Sequence, residues 1–357
     1  MKTLLVMAGG TGGHVIPALS VAKELRDRGV RIVWMGTRNG IESTLVPEAG
    51  FELRFINIKG LRGTGVMRKL VAPFVLISAA FQALIIIISS RATALLGMGG
   101  FASGPGGLVG WILRKPLIIH EQNAIAGTTN KILASKALKK LSGFSQAKGI
   151  DSNLHTGNPV KPAMKALDAP AERLSGREGA LRLLVVGGSL GAQVFNEFLP
   201  ALLKTLSDST PITIRHQSGK GRNAPVESLY EELALECEVS EFINDMPRAY
   251  EWADFVICRS GAMTVSEVAA AGVAALFVPY PHAIDDHQWF NAQELAADQS
   301  ALCYRQPEFE KGSWVEQLAS YATDRTKIIA LAEKAQQHAR LNATEAVADV
   351  CMEVLDA

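Results

Sequence analysis

Three glycine-rich runs and three polar strings hold the residues of this sequence whose types and spacing could do chemistry. Gly9-Gly10-Thr11-Gly12-Gly13-His14 and Gly187-Gly188-Ser189-Leu190-Gly191-Ala192 each follow a short apolar run and open a helical pattern. A glycine turn between strand and helix lets backbone N–H groups converge on a phosphate, and the helix dipole favours the negative charge. Tight packing also calls for glycine there, so one such turn says little and two at matched positions say more. A third run, from Gly97 to Gly107, reads equally as an anion-approaching segment and as a loop.

The polar strings sit where α/β sites form, at the carboxyl ends of strands. His120-Glu121-Gln122-Asn123 follows an apolar run at 117–119, and Arg259-Ser260-Gly261-Ala262-Met263-Thr264-Val265-Ser266-Glu267 follows another at 255–258. Small residues at a helix start expose amides to a diphosphate. Glu267, one turn further in, reads either as a ribose ligand or as an acid favoured near a helix N-terminus. Asp285-Asp286-His287-Gln288-Trp289-Phe290-Asn291 is dense in groups that discriminate sugar hydroxyls. What is missing narrows the ligand. A dinucleotide site wants GxGxxG and an acid about 20 residues on. Neither turn has that spacing, and the second strand ends Trp34-Met35-Gly36-Thr37 with no carboxylate. There is no GxxxxGK[ST], which disfavours a P-loop enzyme.

Elements must position these groups, and the apolar pattern supplies them. Residues 3–7 form a strand, after which Val15, Ala18, Leu19, Ala22 and Leu25 share one helical face. Pro17 is tolerated in the first turn and Gly29 is a stop. Residues 30–35 read as a second strand, so a parallel α/β sheet begins here. The same grammar restarts at 181, with further strands at 183–186, 211–215, 255–258 and 274–278. Two Rossmann-like halves are therefore expected, joined by a Pro- and charge-rich linker at 157–179 and closed by helices at 326–340 and 344–355.

Bulk properties agree. A chain of 357 residues, 48% hydrophobic and 20% charged, suits two globular domains and rules out disorder. Cys237, Cys258, Cys303 and Cys351 have no ligand spacing, so neither zinc nor a disulfide framework is expected and a reducing cytoplasm fits. The apolar run at 4–8 is too short for a signal-peptide core and reads as a buried strand. Net charge is +1, yet residues 53–150 hold 13 Lys and Arg against one acid, Glu121, which leaves −11 for the rest. Such asymmetry implies an anionic partner: a membrane surface, a diphosphate or nucleic acid. Residues 71–88 are the most apolar stretch, interrupted by Pro73, Ser78 and Gln82. We favour a helix lying on a bilayer, with Arg68 and Lys69 near headgroups. A buried core helix stands level with it, and a transmembrane span comes third.

In order along the chain, GGTGGH, GMGGFASGP, HEQN, GNPV, GGSLGA, HQSGKG and RSGAMTVSE resemble the motif series of the family 28 glycosyltransferases. These are bacterial enzymes that move N-acetylglucosamine from UDP-N-acetylglucosamine onto undecaprenyl-linked muramyl-pentapeptide lipid in peptidoglycan synthesis. The resemblance implies an α/β GT-B fold, two Rossmann-like parallel-sheet domains facing a deep cleft. Residues 1–160 would hold the acceptor and the membrane, 161–340 the UDP-sugar, and 341–357 a helix packing back on the first domain. It implies inversion without a metal or other cofactor, in keeping with the absence of DxD. It places the enzyme peripherally on the cytoplasmic face of the inner membrane, against an anionic surface, with no nucleic acid partner.

Residue by residue, the resemblance puts Thr11, Gly12, Gly13 and His14 near the diphosphates, Asn123 by the donor sugar and Ser189 on the donor phosphates. The Ile243 backbone would hold uracil, Ala262, Met263, Thr264, Val265, Ser266 and Glu267 the nucleotide, with Arg259 alongside, and Gln288 the sugar hydroxyls. Lys161 stands where some relatives carry Arg, losing a bidentate fork; Leu190 and His287 stand where Gln is common. The reaction expected is direct displacement at the anomeric carbon. His14 is the first candidate for the base, because imidazole titrates near the operating pH. Phosphate bonding is its rival role, and Glu121 is the second candidate. A UDP-N-acetylglucosamine 2-epimerase, a nicotinamide oxidoreductase and a non-catalytic membrane adaptor are the competing readings.

Overall fold

The computed structural model describes residues 2–58, 66–151, 153–188 and 190–357, with the side chains of 66–71 outside the description. The chain divides into two units, Met1–Lys161 with Arg340–Ala357, and Pro162–Ala339.

Unit 1 runs β1 (Thr3–Met7), α1 (Gly12–Asp27), β2 (Arg31–Gly36), α2 (Glu42–Glu48), β3 (Glu52–Phe55), α3 (Val66–Ser89), β4 (Ala94–Gly97), α4 (Ser103–Ile112), β5 (Leu117–Glu121), α5 (Thr128–Ala134), β6 (Lys139–Ser142) and β7 (Leu154–His155). The strands pair in the order β3-β2-β1-β4-β5-β6-β7, all parallel. β1, β4 and β5 are buried along their whole length, as the inner strands of a parallel sheet are, and β5 carries His120 and Glu121 into that interior at its carboxyl end. Alternation along β1 separates two cores. Leu4 and Val6 meet α1, while Leu5 and Met7 face the side that α3 and α4 cover. α1 buries Val15, Ala18, Val21, Ala22 and Leu25; Leu19, expected on that face, is only half-buried. The C-terminal helix Ala343–Asp356 lies against α1 through Val347, Ala348, Cys351 and Val354.

α3 is mostly apolar but not buried all round. Ala79, Ala83, Ile86 and Ile87 join the core, whereas Phe74, Ile77, Phe81, Ile85 and Ile88 form one exposed stripe at helical spacing. The reading of a buried core helix is therefore overturned. By length and composition Ala72–Ser89 would suffice to cross a membrane, but 22% of that window is buried inside the protein, along the face that packs on the sheet.

Unit 2 runs α6 (Pro162–Lys165), α7 (Pro170–Leu174), β8 (Leu181–Val186), α8 (Gln193–Glu197), α9 (Leu199–Ser207), β9 (Ile212–Gln217), α10 (Asn223–Glu232), β10 (Cys237–Ser240), α11 (Met246–Trp252), β11 (Phe255–Cys258), α12 (Ala262–Ala271), β12 (Ala274–Phe277), α13 (His287–Ala296), β13 (Leu302–Cys303), α14 (Gln306–Phe309), α15 (Trp314–Thr323) and α16 (Arg325–Gln337). Its strands are also parallel, in the order β10-β9-β8-β11-β12-β13. Leu183, Val185, Phe255 and Ile257 anchor a core that also takes in Phe309 and Trp314, stacked with centroids 5.2 Å apart. The stretch 157–179, expected as a linker, holds the boundary between the units at Lys161 and Pro162, but it is not bare chain. It contains α6 and α7, and Arg173 is buried, donating to the carbonyls of Ala271 at 2.7 Å and Gly272 at 2.5 Å.

Candidate active site

In both sheets the strand order reverses beside the first strand, and open α/β sheets take ligands at the carboxyl edge of such a switch point. In unit 1 the first glycine turn leaves β1, the third glycine run leaves β4, and His120-Glu121-Gln122-Asn123 ends β5, all on that edge. The open reading of the third run is resolved by contact. A Cβ on Gly100 would collide with the carbonyl oxygen of Gly9, and one on Gly99 would lie 2.6 Å from His14 Nδ1. The run is there to let two backbones and one imidazole close up. Thr11 is the N-cap of α1, yet its hydroxyl makes no capping bond. Among the described residues no acceptor takes the Gly12 or Gly13 N–H, so the helix start presents open donors of the kind that bind anions.

Sequence reasoning missed Glu42. Its carboxylate is fully buried, with Oε2 accepting from Gly10 N at 2.9 Å and Oε1 from Thr37 N and Thr37 Oγ1, both at 2.8 Å. Side chains on Gly9, Gly36 or Gly40 would all strike it. An acid does stand after the second strand, but it is turned onto the glycine turn as a fastening. Gly10 N–H is thereby spent, and the donors left in the turn include those of Gly12 and Gly13.

His14 Nδ1 lies 2.9 Å from Gln122 Oε1, Gln122 Nε2 lies 3.1 Å from His120 Nδ1, and His120 Nε2 lies 3.0 Å from the Gly157 carbonyl. Burial pushes His120 down to about 4, against the opposing pull of the Gly157 bond and the Glu121 charge. Glu121 itself is buried and receives four donors: Asn123 N at 3.0 Å, Asn123 Nδ2 at 3.1 Å, Gly127 N at 3.0 Å and Asn130 Nδ2 at 2.8 Å. Four N–H groups fill the acceptor positions of a carboxylate, so this acid ties the turn after β5. Asn123 stays half-buried on it, and Lys161 is half-buried as the last residue of the first segment of unit 1.

In unit 2, Ser189 lies outside the described residues. Gln217 joins two of the expected parts: its Nε2 donates to Gly188 O at 2.8 Å, and its Oε1 accepts from Ile243 N at 3.1 Å. α12 begins at Ala262 after an N-cap glycine that offers no side-chain bond, and the amides of Ala262, Met263 and Thr264 have no acceptor among the described residues. Val265 is buried, while Ser266 and Glu267 are half-buried on the following turn. Burial first, and the Glu267 carboxylate second, push the Tyr250 hydroxyl well above its ordinary value, which locates Glu267 beside α11. The Arg259 guanidinium is already engaged. It donates to Val278 O at 3.0 Å, Pro279 O at 3.2 Å and Gln306 Oε1 at 2.9 Å, and it lies over the rings of Phe195 and Tyr280. Burial lowers it to about 10. Gln288 Oε1 accepts from Tyr280 N at 3.0 Å, and no acceptor for its amide N–H groups is found among the described residues.

Two doubly wound parallel sheets in one chain, each with open helix-start amides at its switch point, are the architecture of the GT-B fold class, to which many glycosyltransferases belong. The models of the glycosyltransferase family 28 N-terminal and C-terminal domains match residues 4–142 and 182–350. A protein of Alcanivorax borkumensis is 47% identical over 352 residues, covering 99% of this chain and 98% of its own. One of Psychromonas ingrahamii is 45% identical over 354 residues, covering 99% of each. Both are named UDP-N-acetylglucosamine–N-acetylmuramyl-(pentapeptide) pyrophosphoryl-undecaprenol N-acetylglucosamine transferase. The crystal structure of Acinetobacter baumannii MurG superposes with a TM-score of 0.85 at 39% identity, covering 99% of this chain and 100% of that one. The chain belongs to glycosyltransferase family 28.

Proposed function

We propose that this protein transfers N-acetylglucosamine from UDP-N-acetylglucosamine to the muramyl sugar of undecaprenyl-pyrophosphoryl-muramyl-pentapeptide, with inversion. One observation carries the reading: relatives so named match at 45% and 47% identity over nearly the whole of both chains. Residues 1–160 hold the lipid acceptor, and its diphosphate takes the open amides of Gly12 and Gly13 with the Thr11 hydroxyl. Residues 161–340 hold the donor, and 341–357 buttress the acceptor side. The amides of Ala262, Met263 and Thr264 face the UDP diphosphate, with Ser189 on the same phosphates; Val265 and Ser266 complete the turn, and Glu267 accepts from the ribose diol. Because the Ile243 N–H is spent on Gln217, its carbonyl is the atom offered to uracil. Gln288 and Asn123 read the sugar, Arg259 braces the turn beneath the nucleotide, and Lys161 adds positive charge near the acceptor.

The acceptor hydroxyl attacks the anomeric carbon, His14 takes its proton, and UDP leaves from the opposite face. The test is transfer of label from UDP-N-acetylglucosamine to a shortened-chain muramyl lipid. Labelled disaccharide lipid and UDP in equal amounts are expected. Free epimerised sugar with no lipid product would replace this reading with an epimerase.

The same proposal puts the enzyme peripherally on an anionic bilayer at the cytoplasmic face. Phe74, Ile77 and Phe81 of α3 and Trp111 and Ile112 of α4 stand exposed, and the Lys136 ammonium lies 5.5 Å from the Trp111 ring centroid. Apolar side chains beside cations suit a headgroup boundary. Phe74→Ser with Phe81→Ser is expected to weaken partition into anionic vesicles about tenfold or more, since burying one such side chain is worth about 1.5–3 kcal/mol. Vesicle co-sedimentation measures it, with circular dichroism as the check on folding; unchanged partition would place the membrane contact elsewhere.

A further inference from the structure

The string His120-Glu121-Gln122-Asn123 contributes more than the two residues assigned above, because Gln122 meets His14 and His120 meets Gln122. We infer that Gly157, His120 and Gln122 form a relay whose donors and acceptors fix His14 as the Nδ1–H tautomer, leaving Nε2 with a bare lone pair. The reasoning starts at the far end, where chemistry leaves no choice. The Gly157 carbonyl can only accept, so His120 Nε2, 3.0 Å away, carries a hydrogen. His120 is wholly buried and neutral, so its Nδ1 is an acceptor. The group 3.1 Å from that nitrogen must then be the amide N–H of Gln122. The Gln122 Nε2 also lies 3.4 Å from the His120 carbonyl, which a flipped amide would oppose with its own oxygen. The Gln122 oxygen therefore points at His14 Nδ1, 2.9 Å away, and can only accept. His14 Nδ1 must donate. No partner for His14 Nε2 is found among the described residues.

The rest of unit 1 is arranged to hold this chain still. Gln122 is 1% exposed, so water does not compete for its amide. Its backbone carbonyl accepts from Asn158 Nδ2 at 3.0 Å, and Asn158 sits where a side chain on Gly143 would collide with it. Gly157 has φ +83, and a Cβ there would strike Arg340. Gly157 and Asn158, in the string GNPV, thus each hold one end of the relay. The charged groups nearby are turned away from His14: Glu42 toward Gly10 and Thr37, Glu121 toward Asn123, Gly127 and Asn130. His155 and Glu121 act on His120, not through the relay. Gln122 does for His14 what a carboxylate does for a catalytic histidine elsewhere, orienting it and choosing its tautomer. Being neutral, it does so without stabilising the imidazolium.

The catalytic meaning rests on the reading of His14 as the base, so His120 and Gln122 are positioning residues. Nitrogen-15 NMR of the full chain with labelled histidine tests the relay directly, the His14 signal being assigned by its loss in His14→Ala. At pH 8 the wild type is expected to show His14 with a protonated Nδ1 and a lone-pair Nε2, and His120 with the reverse. His14 with a protonated Nε2, or as a mixture of both forms, would overturn the relay. Gln122→Met removes the acceptor and is expected to convert His14 to a mixture of tautomers and lower kcat at least tenfold. Gln122→Glu places a charge against His14 and is expected to move the acidic limb of kcat/KM up by about one pH unit. An unmoved limb in a folded variant counts against the relay. A correct tautomer with normal turnover in His14→Ala would leave the relay standing and remove the base.

Discussion

Replacing His14 by Ala is expected to lower kcat about 10²–10⁴-fold, the range a positioned general base contributes, while donor KM stays unchanged. The geometry assigns the effect to kcat. His14 opens α1 beside amides without acceptors, its Nδ1 is committed to Gln122, and a Cβ on Gly99 would lie 2.6 Å from that nitrogen. One ring nitrogen is anchored and the other is left for substrate. If His14 instead bound the acceptor diphosphate, the same variant would raise acceptor KM and spare kcat at saturation. Single-turnover label transfer at saturating acceptor separates the two. Glu121→Gln is the companion measurement. Its new amide N–H groups would oppose Gly127 N–H and the Asn130 amide, which now donate to the carboxylate, so a loss of stability of about 1–3 kcal/mol is expected. A Glu121→Gln protein as stable as wild type but without turnover would transfer the role of base to Glu121.

The parts of this site that were legible in the sequence are those written locally. Strand, glycine turn and helix are consecutive, so β1 with α1 and β8 with the second turn could be read from apolar runs and glycines alone. The parts that were not legible come from strand order. Glu42 reaches back 32 residues to Gly10, and Gln122 lies 108 residues from His14. Glu42 is brought there because β2 lies beside β1, and Gln122 because β4 and β5 follow β1 on its other side. Arg259 is placed alongside the nucleotide by the family resemblance, not by its own neighbours in the sequence. The backbone carbonyls of Val278 and Pro279 that claim it belong to the loop after β12 and leave no trace in its own neighbourhood. For α3 a surface helix and a core helix stood level in the sequence, and the exposed stripe removes the second. Ser78 and Gln82 are too few to mark an outer face, so periodicity could not say which residues faced the sheet.

The other large effect concerns the meeting of two glycine runs. Gly100→Ala is expected to destabilise unit 1 by about 3 kcal/mol or more, in the range reserved for mutations that strain a special backbone position and overpack it at once. Gly100 has φ +84, and an added Cβ would collide with the Gly9 carbonyl oxygen and lie 3.0 Å from both its carbonyl carbon and its nitrogen. Every one of those atoms is backbone, so no rotamer change relieves the contact. Relief requires moving the turn that Glu42 fastens through Gly10. Gly29 supplies the control: it also has φ +84, but nothing lies within 4 Å of its Cβ position. Gly29→Ala therefore carries only the left-handed strain of about 1–2 kcal/mol. Thermal unfolding of the two variants should differ by about 2–4 °C for each kcal/mol between them. Because the displaced turn bears the Gly12 and Gly13 amides, Gly100→Ala should also weaken acceptor binding, which Gly29→Ala should not. Equal melting temperatures for the two variants would mean that the turn yields freely, and that the approach of Gly9 to Gly100 does not hold the phosphate-facing edge of unit 1 in place.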